Sequence, residues 1–254
     1  MNHINLNEIK DFVNENIMMF HESRIKRLKN IKLYDVLKKK NPYLFKAKNI
    51  READELIEGI LDAYLSSSEE KIFGDFLEEL AIYIAQKTCN GRKSSASGMD
   101  LEFNRDNVHY IVSIKSGPNW GNSSQIRRLE TDFKSARSIL RQSNRVLNVQ
   151  SVLGICYGRV RTNYKYRGFI WKLVGQNFWY FISGNENLYK EVVEPLGHKA
   201  SQFNQRFEEE KSQIINKFTE EFLGEFTSKG LIDWEKIVEF NSGNIDIDLD
   251  EFKC

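Results

Sequence analysis

The spacing of apolar residues predicts helices at the start of the chain. One stretch repeats apolar residues at intervals of three and four, which predicts an amphipathic helix over residues 5 to 28. These residues are Leu6, Ile9, Val13, Ile17 and Phe20. A second helix is expected over 52 to 65. The spacing of Ser66 and Glu69 fits a capping box, so a third helix is expected to begin there. Residues 1–68 are thus predicted to form a helical region.

The pattern changes after residue 89 and predicts a β-hairpin. Residues 99–103 alternate apolar with acidic side chains, and residues 108–115 are rich in β-forming types. Turn-forming residues occupy 104–107 between them. We expect the turn to be centred between Arg105 and Asp106.

The remaining pattern predicts an α/β fold. Ser123 can cap a helix that runs to about residue 142, and short apolar runs at 152–157 and 169–174 are typical of strands. A hairpin followed by a helix and a parallel strand gives a mixed central β-sheet flanked by helices. We place this core at residues 69–200 and a C-terminal helical region with an acidic tail at 201–254.

The charge of the chain is informative only locally. Among its 254 residues, 37 Lys and Arg nearly balance 36 Asp and Glu, so the formal net charge of +1 indicates no partner. Residues 24–48 hold ten basic side chains against one acid, Asp35, which fits either a solvated surface or a patch that contacts a DNA backbone. Residues 127–167 hold ten basic side chains against two acids.

The cysteines and the hydropathy predict a cytoplasmic protein. The three cysteines are odd in number and lack metal-binding spacing, which favours reduced thiols. No apolar run approaches the roughly 20 residues that span a bilayer, and the N-terminus lacks the apolar segment of a signal peptide.

The predicted hairpin carries the candidate chemistry. Cleavage of a phosphodiester with a metal requires a carboxylate to hold the cation and a positive group near the developing negative charge. The expected turn places Asp100 opposite Ile111 and puts Asp100, Ser113 and Lys115 on one face of the sheet. Spacing alone favours the alternative, an ordinary surface hairpin with both charged residues in solvent.

Distinctive sequence motifs lie between roughly residues 40 and 200. They are NPY at 41–43, LSSSEE at 65–70, FGDFLE at 73–78, GMDLE at 98–102, SIK at 113–115, CYGR at 156–159 and GQNFW at 175–179. The most specific motif is KSGPNWGNS at 115–123. Together these motifs resemble the PmeII family of type II restriction endonucleases, which have the PD-(D/E)xK type of active site.

The resemblance implies a restriction-endonuclease-like core and cleavage of double-stranded DNA with Mg²⁺. It also implies a palindromic target, 5′-phosphate products, a homodimer and a companion DNA methyltransferase that protects host DNA. A repair or junction-resolving nuclease with the same core is the nearest alternative. A DNA-binding protein that has lost catalysis is another.

The resemblance assigns roles to individual residues. Asp100 would bind the metal, the carbonyl of Ile114 would complete its shell, and Lys115 would orient or help deprotonate the attacking water. Ser113 departs from the family pattern, which expects Asp or Glu at that position, and a hydroxyl cannot replace a carboxylate as a strong Mg²⁺ ligand. Glu78 is the preferred source of a second carboxylate, with Glu79 and Glu102 as alternatives.

The residues after Lys115 are candidate DNA contacts. Glycines allow close approach to phosphates, and polar side chains with a helix N-terminus can bind phosphates or base edges. The candidates are Asn119, Trp120, Asn122, Ser123, Gln125, Arg127, Arg128, Arg159 and Arg161. The alternatives are a connecting loop, a solvated basic loop, and a core or interface position for Trp120.

Overall fold

A computed structural model describes residues 4–144, 148–160, 164–166 and 168–248. The helices are α1 (Leu6–Lys29), α2 (Leu33–Leu37), α3 (Pro42–Ala47), α4 (Ala53–Cys89), α5 (Ser123–Asn144), α6 (Gln176–Ser183), α7 (Leu188–Glu191), α8 (Val193–Leu196), α9 (Ala200–Glu225) and α10 (Trp234–Ser242). The strands are β1 (Arg92–Lys93), β2 (Leu101–Arg105), β3 (Val108–Lys115), β4 (Val149–Ile155), β5 (Tyr164–Tyr166), β6 (Ile170–Val174), β7 (Thr227–Ser228) and β8 (Leu231–Ile232). No helix in these described ranges is long and apolar enough to cross a membrane.

A mixed β-sheet is the centre of the α/β architecture. Within the described residues it has six strands in the order β1-β2-β3-β4-β6-β5. The hairpin strands β2 and β3 are antiparallel, whereas β3 and β4, which α5 connects, are parallel. Strands β4 and β6 are also parallel. The predicted fold class and the predicted succession of hairpin, helix and parallel strand are confirmed.

The hairpin turn lies one residue later than the sequence analysis expected. Arg105 pairs with Val108, so the turn is centred between Asp106 and Asn107. Both turn residues have positive φ, 51° and 59°, which is the backbone of a two-residue type I′ turn. The expected pairing of Asp100 with Ile111 is therefore wrong. Moving the turn centre by one residue changes the cross-strand partner of each residue by two positions. Because side chains alternate between the two faces of a strand, the predicted face of each residue is unchanged.

Helix α4 is one continuous helix of 37 residues, so the expected helix start at Ser66 is wrong. Instead of capping a helix, the serine cluster lies within α4, and the Ser67 hydroxyl donates to the Ala63 carbonyl at 3.1 Å. This bond to the preceding turn is an alternative use of a helical serine.

Apolar side chains cover both faces of the sheet. On one face, Val112 and Ile114 of β3 join a core with residues of α1, α4 and α6. On the other face, Ile111 joins a core with Leu129 and Phe133 of α5. Because side chains alternate along a strand, Ser113 and Lys115 belong to the face of Ile111.

The chain divides into two compact units. The first comprises residues 1–20 and 71–200 and contains the sheet. The second comprises residues 21–70 and 201–254 and has its own apolar core. The aromatic side chains of α9 are buried in that core, namely Phe207, Phe218 and Phe222. The apolar face of α9 is thus buried within its own unit.

Candidate active site

The site lies where β3 ends beside the start of β2. Leu101, the first residue of β2, pairs with Val112. The backbone N–H of Asp100, one residue earlier, donates to the Val112 carbonyl at 2.9 Å, so Asp100 lies beside the end of the ladder. Side-chain contacts of Asp100 with Ser113 and Lys115 bring the three residues together on one face of the hairpin, as the sequence analysis expected.

Among the described residues, the hydrogen bonds and the ion pair of the Asp100 carboxylate all involve one oxygen, Oδ2. The backbone N–H of Ile114 donates to Oδ2 at 2.6 Å, and the Ser113 hydroxyl donates to the same atom at 3.2 Å. The Lys115 Nζ lies 3.6 Å from Oδ2 and also donates to the Ile114 carbonyl at 2.7 Å. The other oxygen, Oδ1, therefore remains available to a cation.

Ser113 holds Asp100 in place. Its side chain is fully buried, and a hydrogen bond from a hydroxyl to a carboxylate is stronger than one between two neutral groups. An acid at this position would instead place a second negative charge beside Asp100. The departure from the expected motif therefore changes the local charge as well as the number of ligands.

Helix α4 brings Glu78 to the end of β3. A Cβ built on Gly74 would lie 3.3 Å from the Ser116 hydroxyl, so the helix closely approaches the residue after Lys115. Glu78 follows Gly74 by four residues and lies on the same side of the helix. Half-buried Glu78 thus belongs to the neighbourhood of Asp100 and Lys115.

The electrostatics of Glu78 support this proximity. Burial raises the pKa of its carboxyl group, the charge of Asp100 raises that pKa further, and Lys115 opposes the shift. Burial also raises the pKa of the Cys156 thiol to about 12, with a further contribution from Glu78 and an opposing one from Lys115. Two carboxylates and one ammonium therefore influence each other beside a neutral, buried thiol.

The other two acids considered as metal ligands are placed differently. Glu102 is only 3% exposed, and its Oε1 accepts from Arg92 while its Oε2 accepts from Ser94. Its carboxylate is thus already occupied by protein donors. Glu79 is exposed to solvent.

The segment after Lys115 stays beside the site. The Lys115 Nζ lies 6.0 Å from the centre of the Trp120 ring, and half-buried Trp120 packs on the core beneath α5. Tyr157 was missed by the sequence analysis. Its ring lies against Gly117, where a Cβ would come within 2.4 Å of the tyrosine hydroxyl. The run of buried strand residues that precedes Tyr157 indicated its position but not this contact.

Asn122, rather than Ser123, caps α5. The Asn122 Oδ1 accepts from the backbone N–H of Gln125 at 3.0 Å, and the Gln125 Oε1 accepts from the backbone N–H of Asn122 at 2.9 Å. This reciprocal pair is a capping box. The expected cap at Ser123 is wrong because the asparagine one residue earlier makes both bonds. The two side-chain oxygens serve the helix, which leaves their amide N–H groups as donors.

Most of the candidate DNA contacts are exposed. The exposed set is Asn119, Asn122, Ser123, Gln125, Arg127, Arg128 and Arg159. The side chain of Arg128 is 83% exposed, and its Nε forms a long ion pair with Oδ2 of Asp132 at 3.9 Å. Arg161 lies outside the described residues.

The comparison with known families identifies the chain. Residues 7–204 match the family described as type II restriction endonuclease EcoO109I. The chain belongs to this family. It is therefore a type II restriction endonuclease, a site-specific deoxyribonuclease that binds double-stranded DNA. No curated protein gave a significant match.

The donor set at the site fits a hard divalent cation, which type II restriction endonucleases generally use. No group of three or more His, Cys, Asp or Glu residues in the described part of the chain is arranged to hold a metal. Mg²⁺ does not need such a group, because one or two carboxylates with water and substrate phosphate complete its octahedron. Asp100 with its free Oδ1 and neighbouring Glu78 provide the carboxylates for that arrangement.

Proposed function

We propose that this enzyme uses Mg²⁺ to cut a palindromic double-stranded DNA sequence with Asp100, Glu78 and Lys115, leaving 5′-phosphates. The observation that carries the proposal is the convergence of the contacts of Lys115, Ile114 and Ser113 on Oδ2 of Asp100. Membership in a type II restriction endonuclease family supplies the reaction class.

Each residue of the proposed site has a distinct part in hydrolysis. Asp100 and Glu78 would hold the cation together with the Ile114 carbonyl. The bound cation would stabilise negative charge on the phosphate and lower the pKa of a coordinated water. Lys115 would orient the attacking water and neutralise developing charge, because its ammonium is already fixed between the Ile114 carbonyl and Asp100.

The bonds exchanged in the proposed reaction follow from the 5′-phosphate products that the resemblance to the PmeII family implies. The water oxygen would form a new bond to phosphorus while the bond from phosphorus to the 3′ oxygen breaks. The leaving oxygen takes a proton and becomes a 3′-hydroxyl, and the phosphate stays on the 5′ end. No covalent intermediate with the protein is required.

Exposed polar and basic residues would contact the DNA around this centre. Arg127 and Arg128 on the first turns of α5 and Arg159 beyond β4 would neutralise phosphates. Backbone N–H groups at the N-terminus of α5, near Ser123, would bind a phosphate anion, as the N-terminal N–H groups of helices commonly do. Asn119 and the free amide groups of the α5 cap are suited to phosphates or base edges. Arg161 is proposed for this set from the sequence alone, and Trp120 is proposed to fix the segment beside Lys115.

Two finer features of the proposal come from the resemblance to the PmeII family, namely a symmetric homodimer that cuts both strands and a companion methyltransferase. Location in the cytoplasm is proposed from the cysteines and the hydropathy of the sequence. A palindromic target matches a two-fold symmetric enzyme because each subunit then reads an equivalent half-site.

A digest of a sequenced phage genome tests the function. We expect discrete fragments in Mg²⁺, none in EDTA, and none with folded Asp100→Ala or Lys115→Ala protein. Sequencing both strands at the cut ends would reveal whether the site is palindromic. Ligation without prior phosphorylation would demonstrate 5′-phosphates. Cuts that follow junctions or mismatches instead of sequence would favour the repair nuclease, and tight binding without any cleavage would favour the inactive DNA-binding protein.

A further inference from the structure

The second unit carries a cluster of basic side chains around one tyrosine. The guanidinium carbon of Arg27 lies 5.4 Å from the centre of the Tyr64 ring, and its Nη2 donates to the tyrosine hydroxyl at 3.1 Å. The ammonium groups of Lys39 and Lys40 lie 5.7 Å and 6.0 Å from the same ring centre. Three positive charges from α1 and the segment after α2 thus converge on one side chain of α4.

Acids do not neutralise the charges of this cluster. None of Arg27, Lys39 and Lys40 forms an ion pair with an acid in the ranges that the structure describes, although the Lys40 ammonium also donates to the Ala63 carbonyl. In the same unit, Lys29 pairs with Glu210 at 2.6 Å and Lys211 pairs with Asp62 at 2.6 Å. The three cations at the tyrosine therefore differ from these two paired lysines.

The charge distribution along the unit has the same asymmetry. Residues 24–48 hold ten Lys and Arg and one acid, whereas residues 201–248 hold five and eleven. A polyanion would be attracted to the first segment and repelled by the second. Like charges held close together are unfavourable, and a row of phosphates relieves that repulsion while releasing bound counterions.

We propose that Arg27, Lys39 and Lys40 bind the sugar-phosphate backbone of double-stranded DNA. Tyr64 holds Arg27 through its hydroxyl and presents its ring to the three cations. The contact is independent of sequence, because phosphates carry no base information. This inference rests on the proposed function and adds a DNA contact outside the unit that contains Asp100 and Lys115.

The salt dependence of DNA binding tests the proposal. The probe is a fluorescent duplex of about 30 base pairs with arbitrary sequence, titrated by anisotropy in EDTA at several salt concentrations. Each phosphate contact contributes about 0.9 to the slope of log K against log salt. The double variant Arg27→Gln/Lys39→Gln should therefore have a slope that is less steep by roughly 1 to 2. Its loss of affinity should be largest at low salt.

A matched variant controls for net charge. Lys29→Gln/Lys217→Gln removes the same charge from the same unit, but both lysines are paired with glutamates, Glu210 and Glu221. We expect its slope to equal that of the wild type. An unchanged slope for Arg27→Gln/Lys39→Gln, or an equal reduction in both variants, would overturn the proposal.

Two further measurements keep the outcome interpretable. Circular dichroism melting establishes that each variant is folded, and Lys39→Gln alone, at an exposed position, should give about half the change in slope. Wild-type protein that cuts DNA while the slope is insensitive to this cluster would refute only the backbone contact. Wild-type protein that neither binds nor cuts DNA would refute the proposed function itself.

Discussion

Replacing Ser113 by alanine separates a positioning role from metal binding. The serine is fully buried, and its hydroxyl donates to Oδ2 of Asp100 at 3.2 Å. Ser113→Ala removes that bond but leaves the Ile114 N–H at 2.6 Å and Lys115 at 3.6 Å on the same oxygen. Asp100 should therefore keep nearly its present position.

The size of the effect follows from these contacts. A hydrogen bond to a charged group contributes about 1.5–3 kcal/mol, and this one is longer than the usual 2.5–3.0 Å range for hydroxyl donors. We take a loss of about 1.5 kcal/mol, which is roughly tenfold in rate. Asp100→Ala removes the carboxylate on which the proposed cation site depends. A loss of at least about 4 kcal/mol, or roughly a thousandfold, is expected.

Single-turnover cleavage of a duplex that contains the target sequence would measure both variants. Rates should be compared at saturating Mg²⁺, with thermal unfolding as the check that each variant is folded. Losses of equal size would refute this reasoning, because they would mean that the serine hydroxyl does as much as the carboxylate.

Three other outcomes follow from the site. Glu78→Gln should reduce cleavage by roughly a hundredfold or more, because it removes a proposed metal ligand, whereas Glu79→Gln at its exposed neighbour should change the rate less than about twofold; equal rates would contradict the assignment. Burial raises the pKa of Glu78 in the folded protein. Above this raised pKa the ionised carboxylate therefore destabilises the folded state, whereas below the pKa of Glu78 in the unfolded chain it has no such effect. Glu78→Gln should therefore raise the melting temperature of the metal-free protein at pH 8 but not at acidic pH. Calorimetric scans at both pH values measure this, and a lower melting temperature of the variant at pH 8 would contradict it. Gly117→Ala should destabilise by about 1 kcal/mol, the lower end of overpacking costs, since half-exposed Tyr157 can turn away; a double-mutant cycle with Tyr157→Ala should show coupling between the two positions.

The hairpin illustrates how far the sequence could be interpreted. Alternating residues and turn-forming types located both strands to within two residues and the centre of the turn to within one. The pattern could not decide between turn centres, because Asp106 and Asn107 differ little from their neighbours in composition. Their positive φ angles place the turn at these two residues and so determine the register. Because this moved each strand partner by two positions, an even number, Asp100 and Lys115 stayed on one face.

Helix α4 illustrates what the sequence could not supply. The spacing of Ser66 and Glu69 is a valid local signal for a helix start, yet packing on both sides of the serines maintains one helix. The same long-range packing places Glu78 near Asp100 through the contact of Gly74 with Ser116. No local pattern encodes a contact between residues so far apart in the chain. Likewise, the sequence could not show that Arg92 and Ser94 donate to the two oxygens of Glu102.

The serine at position 113 and the glutamate of α4 are connected through charge. An acid at 113 would lie fully buried, beside Asp100 and near Glu78, and three carboxylates would share one ammonium, that of Lys115. Such a cluster would be costly without its cation, because buried like charges raise each other's pKa. With serine at 113, the strand position donates a hydrogen bond and the second negative charge comes from a helix, where it is only half buried. The departure from the family motif is thus consistent with an acid supplied by α4. Under the proposed function, that acid rather than Ser113 should determine how tightly the site holds its metal.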